Sequence, residues 1–209
     1  SLSALSDNTG TRSTPDCWQS FSVHAKQYRH STLLKQEGHG HNDSGVDGTK
    51  PGELVLPYFA CPHPGINLPT NWCDIDPELR QVVARTVKAD TNFCMRNHSI
   101  SNKQRDPILG DGWGYMVKKD KYYDFLKRFI AISSCSSFAA LVLANLKRSK
   151  GLRLTGIGSV CCACHNMWRA QGMGKLQKEE RYSNMTFILF SALLAVNIMT
   201  IVLSYDIAC

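Results

Sequence analysis

Residues 183–209 read SNMTFILFSALLAVNIMTIVLSYDIAC, and the parsing of this stretch decides the fold. No charge lies between Ser183 and Tyr205. The segment Met185 to Leu203 is relieved only by Thr186, Ser191, Asn197 and Thr200. One parse is a membrane span over 185–204, since about 20 apolar residues cross the hydrocarbon core. Lys175, Lys178 and Arg181 would then lie on the cytoplasmic side of a tail anchor whose partner is lipid. The other parse is an apolar helix, a bend near Asn197 and a buried strand, because Thr200-Ile201-Val202-Leu203 is rich in β-branched residues. That strand would carry Asp206 to the carboxyl end of a sheet, where α/β folds place their active groups. The second parse makes the fold class α/β.

Bulk composition does not choose between them. The chain has 209 residues, room for one domain with a small appended module. With 43% hydrophobic, 20% charged and 9% aromatic residues it is ordinary for a globular protein, which excludes wholesale disorder. A net charge of +7 and a pI near 9.0 suit a phosphate-rich partner or an anionic membrane surface. Nine cysteines are many for this length, and no apolar signal segment opens the chain. The odd count and the crowding of Cys161, Cys162 and Cys164 favour reduced thiols, some on metal, over a disulfide framework. Beginning on Ser1 and stopping after Cys209, the sequence reads as a fragment or a truncated product.

Working back toward the N-terminus, we expect residues 1–75 to form a helix and a Cys/Pro-rich linker, and residues 76–209 a core. Residues 1–16 are polar and loose. Cys17 to Leu34 has the spacing of an amphipathic helix with Trp18, Phe21, Val23, Tyr28, Leu33 and Leu34 on one side. Residues 36–52 are a glycine-rich loop in which His39 and His41 either touch a metal or are simply solvated. Leu54-Val55-Leu56 suits a short strand. Prolines at 62, 64 and 69 fix an extended linker, within which Cys61, His63 and Cys73 are a possible zinc set without close CxxC spacing. Pro77 to Ala89 opens as a helix or contains a strand around Val82–Val87. Lys119 to Ile132 is an amphipathic helix, and Ser136 to Lys147 a second helix, almost wholly apolar and buried.

Three groups of residues carry candidate chemistry. Cys162 and His165 have a CxxH spacing able to grip one zinc ion if two further ligands arrive from elsewhere; the bland alternative is a buried thiol beside a hydrogen-bonded histidine. Asp90 and Asp206 each follow an apolar or mixed run. If they meet at neighbouring strand ends they form a hard oxygen site suited to Mg2+; otherwise each is a cap or a surface charge. Arg169, Lys175, Lys178 and Arg181 supply phosphate contacts or a solvated helix face.

Taken together, GELVLPYFACPHPGINLPTNW (52–72), VKADTNFCMRN (87–97), DPILGDGWGY (106–115), KGLRLTGIGSVCCACHNM (150–167), GKLQKEERYSNM (174–185) and LSYDIAC (203–209) resemble the fungal Kyakuja–Dileera–Zisupton (KDZ) transposases. The likeness spans Trp18 to the last residue and rests on the combination of motifs. It implies a partial ribonuclease-H-like core with an N-terminal helical and loop extension. It further implies a metal-bound triad of acids that cuts transposon ends and joins them to target DNA. Asp90 matches the family's first catalytic aspartate and Asp206 its second, with Mg2+ as the ion. Cys162 and His165 match a Cys-x-x-His pair with zinc as the possible ion. DNA is the implied partner and the nucleus the implied site of action.

Several positions depart from the family pattern. The third acid is expected beyond SYDIAC. Where the family tends to CPAC, this chain has Tyr58-Phe59-Ala60-Cys61, so one thiol of a metal pair is missing. Lys175 to Arg181 lacks the acid and the glycine of a DLQKGER-type motif, and a CARHG-type pattern reads Cys162-Ala163-Cys164-His165-Asn166. These departures make the expected product a decayed or partial copy, inactive alone. They leave three classes open: transposase fragment, non-catalytic DNA-binding remnant, and membrane anchor.

Overall fold

A computed structural model describes residues 17–41, 43–79, 83–92, 94–95, 97–98, 108–133, 152–176, 182–194 and 200–205. The chain divides into two compact units, one of Ser1–Thr49 with Ser101–Leu109 and one of Lys50–Ile100 with Gly110–Cys209. The expectations for residues 1–16 and for a helix over Ser136 to Lys147 lie outside the described residues, as do Asn197, Lys178, Arg181 and Asp206.

The first unit contains helix α1, Trp18–Gln36, followed by single 3-10 turns at His39–His41 and Gly45–Gly48. The helix ends as sequence chemistry dictates. Gly38 takes φ +79, a left-handed conformation that costs glycine nothing, and the Glu37 N–H donates to the Leu33 carbonyl at 3.1 Å. The expected dry face does not form. No residue of α1 is buried, and Trp18, Phe21 and Tyr28 are all exposed.

The second unit is built on a four-stranded mixed sheet. Its strands are β1 (Arg85–Asn92), β4 (Gly156–Cys162), β5 (Trp168–Leu176) and β6 (Ile201–Tyr205), in the spatial order β5-β4-β1-β6. A small separate pair joins β2 (Asn97–His98) to β3 (Leu152–Leu154). Strands β1, β4 and β5 pair antiparallel in succession, whereas β6 runs parallel to β1 with Arg85 opposite Ile201 and Ala89 opposite Tyr205. Parallel neighbours need a crossover, and helix α3 (Tyr182–Leu193) lies between β5 and β6 in sequence and packs on β4 and β5. Helix α2 (Lys119–Ser133) lies beside α3.

Periodicity explains which side chains enter the core. Met185, Ile188 and Ala192 recur at helical spacing on α3, Tyr122 and Leu126 on α2, and Val87 and Ala89 alternate along β1; with Val117 and Val160 they form one buried cluster. Each fully buried Ile or Val contributes roughly 1.5–3 kcal/mol. The helix comes very close to the sheet. A Cβ at Gly174 would lie 2.5 Å from Ile188 Cδ1, and one at Gly158 would lie 2.5 Å from Met185 Sδ. Phe187 bridges the helices, with ring centroids 5.2 Å from both Tyr122 and Phe125.

This arrangement corrects the membrane parse of 185–204. The run is divided between α3, which has 12 residues, and β6, which hydrogen-bonds into the sheet. Among the described residues no helix is long and apolar enough to cross a membrane. The strand expected over Leu54–Leu56 is also absent. That segment is a turn, tied to the loop before α2 by Gly52 N–H to the Gly112 carbonyl (2.8 Å) and Leu54 N–H to the Trp113 carbonyl (2.9 Å). Of the two readings of Pro77 to Ala89, both survive in part, as a 3-10 turn at Pro77–Leu79 and then β1 from Arg85.

Candidate metal centre

The second unit brings together three metal-ligating atoms from two distant turns. Cys61 Sγ lies 3.6 Å from Cys162 Sγ and 3.7 Å from His165 Nδ1, and Cys162 Sγ lies 3.4 Å from His165 Nδ1. A tetrahedral zinc, with Zn–S of about 2.3 Å and Zn–N of about 2.0–2.1 Å, holds its sulfurs about 3.8 Å apart and sulfur from nitrogen about 3.5 Å. The three atoms therefore outline one face of such a tetrahedron. Both thiols are buried and the histidine is exposed. The donor set, two soft sulfurs and an imidazole, suits zinc rather than Mg2+.

Local chemistry builds each turn. Cys162 ends β4, and the Asn166 N–H returns to its carbonyl at 2.9 Å while Asn166 itself takes φ 54, a conformation asparagine tolerates. The Asn166 side chain accepts from Lys88 Nζ at 2.7 Å, tying the turn to β1. The other turn closes with Cys61 N–H on the Tyr58 carbonyl at 3.0 Å. Asn67 then knits it together. Its amide donates to the Phe59 carbonyl (2.8 Å) and the Cys61 carbonyl (2.7 Å), and its oxygen accepts from His63 N–H (2.7 Å). The Tyr58 ring rests against His165, with centroids 4.8 Å apart.

Two arginines border the thiols. Arg85, the first residue of β1, is buried and donates to the Pro62 carbonyl. Arg169, on β5, is partly buried. Burial pulls the Arg169 guanidinium down to about 10, with the Arg85 charge adding to the effect. Burial, then the neighbouring Cys162 thiol, pushes the Cys61 thiol up to about 11, against the pull of both guanidiniums. The Nε atoms of Arg85 and Arg169 are buried without a hydrogen-bond partner among the described residues.

Asp90 occupies different ground. Val87 pairs with Cys162 and Asp90 with Ser159 along the same ladder, so alternation sends Cys162 to the helix-covered face of the sheet and Asp90 to the other. Asp90 is exposed, and its Oδ1 accepts from the Thr91 N–H at 2.7 Å.

A family model described as Kyakuja-Dileera-Zisupton transposase (KDZ) matches residues 83–209, more than half of the chain. The chain belongs to the KDZ transposase family. The match takes in β1, β4, β5, α3 and β6, hence Asp90, Cys162, His165, Arg169, Lys175, Lys178, Arg181 and Asp206, whereas Cys61 lies before it. No curated protein and no solved structure matches.

In this KDZ chain the Cys162–His165 pair read from its spacing is joined by Cys61, a link that sequence reading missed. His63 and Cys73, considered beside Cys61, stay apart from it: His63 Nε2 is engaged with the Tyr58 carbonyl at 2.9 Å and Cys73 is exposed. Arg169 stands among the thiols, and Lys175 sits on β5 opposite Ile157. The signal that could have revealed Cys61 is its turn to position 58, which repeats the three-residue step from Cys162 to His165.

Proposed function

We propose that this chain carries part of the DNA-cutting core of a KDZ transposase, a ribonuclease-H-like sheet in which Asp90 and Asp206 hold Mg2+ and act on DNA in the nucleus. The observation that carries this reading is the parallel register of β1 and β6, which runs up to Ala89 opposite Tyr205. Asp90 and Asp206 are the very next residues in the sequence. The order of the sheet, three antiparallel strands and then a helical crossover to a strand parallel with the first, supports a ribonuclease-H-like core.

The residues fit their ions by donor chemistry. Asp90 offers an exposed carboxylate with acceptor capacity beyond its one backbone bond, as a hard cation requires. Mg2+ held there would ready an oxygen nucleophile and steady the leaving oxygen of a phosphodiester. Asp90 and Asp206 orient that ion, and Lys175, Lys178 and Arg181 neutralise backbone phosphates. Cys61, Cys162 and His165 hold zinc as a clamp between the β4–β5 turn and the loop of residues 58–67. By resemblance two of the triad's three acids lie within these 209 residues.

The test combines Mn2+ binding, followed by paramagnetic resonance, with plasmid nicking by the purified chain. We expect Asp90→Asn and Asp206→Asn each to weaken Mn2+ binding, and the unaltered chain to bind DNA without nicking it. Mn2+ binding indifferent to both substitutions would remove the aspartate site and leave a DNA-binding remnant. Nicking abolished by Asp90→Asn would overturn the expected inactivity.

A further inference from the structure

We propose that the metal centre at Cys61, Cys162 and His165 keeps its fourth position open and takes an exchangeable phosphate oxygen there. The inference rests on reading these three residues as metal ligands and extends it to what else the metal binds.

The described residues of the protein supply three corners of the tetrahedron. Among the described residues, no other Cys, His, Asp or Glu joins the group. Cys161 is one residue along β4 and so belongs to the opposite face, and Cys164 is exposed. Position 58 is where the second turn would furnish a fourth ligand. It stands three residues before Cys61, as Cys162 stands three before His165, and the Cys61 N–H to Tyr58 carbonyl bond folds it back toward the site. The residue there is a tyrosine, outside the usual zinc donors, and its ring lies against the imidazole. Three protein ligands with a replaceable fourth is how zinc is held where it exchanges ligands; four protein ligands is how it is held as a strut.

Access and charge then name the fourth ligand. His165 is exposed and Tyr58 only half-buried, so a small ion or a strand backbone reaches this side. Zinc's two charges cancel against two thiolates, which leaves Arg85 and Arg169 uncompensated. The charged neighbours acting on Arg169 are Arg85 and the two cysteines, with no carboxylate among them. Arg85 is 97% buried by its relative exposure of 3%, and its Nε lacks a partner among the described residues. Buried cations of this kind favour an anion, and guanidiniums favour phosphate. Water as fourth ligand would leave them as they are; a phosphate oxygen offsets them.

Cobalt(II) in place of zinc makes the fourth position visible in the full chain. Inorganic phosphate and a short DNA duplex are titrated in separate arms while the d–d bands are followed. A shift with both, or with phosphate alone, supports a free ion as ligand; a shift with duplex alone supports a backbone phosphate. Tyr58→Cys is expected to raise the thiolate-to-cobalt charge-transfer intensity by about half, three thiolates against two, and to abolish the shift in both arms. Arg169→Gln is expected to weaken the phosphate response several-fold without changing that intensity, and serves if Tyr58→Cys does not fold. Bands unmoved in both arms, or a shift that survives Tyr58→Cys, would overturn the proposal. Failure of cobalt to bind would remove the underlying metal reading as well, whereas the aspartate site would stand untouched.

Discussion

Asn67 touches none of the candidate ligand atoms with its side chain, yet it makes three hydrogen bonds that fix the carbonyls of Phe59 and Cys61 and the N–H of His63. Asn67→Ala should cost about 1–3 kcal/mol, because three hydrogen bonds are lost together and the one to the Cys61 carbonyl is partly buried. Urea denaturation measures that loss, and a parallel fall in zinc affinity would show that the turn is set by it. Titration of Cys61 makes a second prediction. Its thiol is raised from an ordinary 9.0 to about 11, so the folded chain holds more protons than the unfolded one between pH 9 and 11. That contribution is fully present below pH 9 and is lost through pH 11. Arg169 works in the opposite sense, pulled by burial from its ordinary range down to about 10, and returns part of the loss above pH 10. The Tm of metal-free protein should therefore fall from pH 9 to 11, and Cys61→Ala should flatten the fall. Cys162 and His165 were legible because they share one turn. Cys61 was not, since 101 residues separate it from Cys162 and only the pairing of β1 with β4, together with the fold of the loop, closes that distance.

Helix α3 shows what an element needs beyond an apolar run. Its buried residues sit on glycines, Gly158 on β4 and Gly174 on β5, and Ile188 has no free space above either. Gly174→Ala should cost about 1–3 kcal/mol through overpacking, read as a lowered denaturation midpoint. Pairing it with Ile188→Val should recover part of the loss, a non-additivity that a simple propensity effect would not produce. The β-branched run after Asn197 was legible as a strand, and the apolar run before it as a helix. The membrane alternative arose because hydropathy counts apolar residues without seeing that β1 offers one of these segments a ladder of backbone partners. Helix α1 illustrates the converse. Its spacing gave the helix correctly, but spacing cannot reveal whether any neighbour covers the apolar side, and none of its residues is buried.

At the scale of the molecule, the sheet separates two kinds of chemistry, soft sulfur and imidazole on the helix-covered face and hard carboxylate on the other. Family membership and a net charge of +7 argue for DNA as the partner. Retention on DNA should fall by more than about tenfold between 50 and 200 mM salt, because each neutralised phosphate releases counterions. Fluorescence anisotropy across that range checks it, and a flat profile would argue against phosphate contacts. The α/β class was legible from alternation and charge-free runs, whereas strand order was not, since β1 pairs with strands about 70 and 115 residues further along. One consequence concerns handling. Among the described residues β6 is paired on one side only, and Ile201, Val202 and Leu203 are 39%, 50% and 45% exposed. Such a rim is a template on which a stray extended peptide can crystallise its own backbone bonds. Concentrated solutions should turn cloudy with time, and Val202→Lys should keep them clear, as light scattering would register.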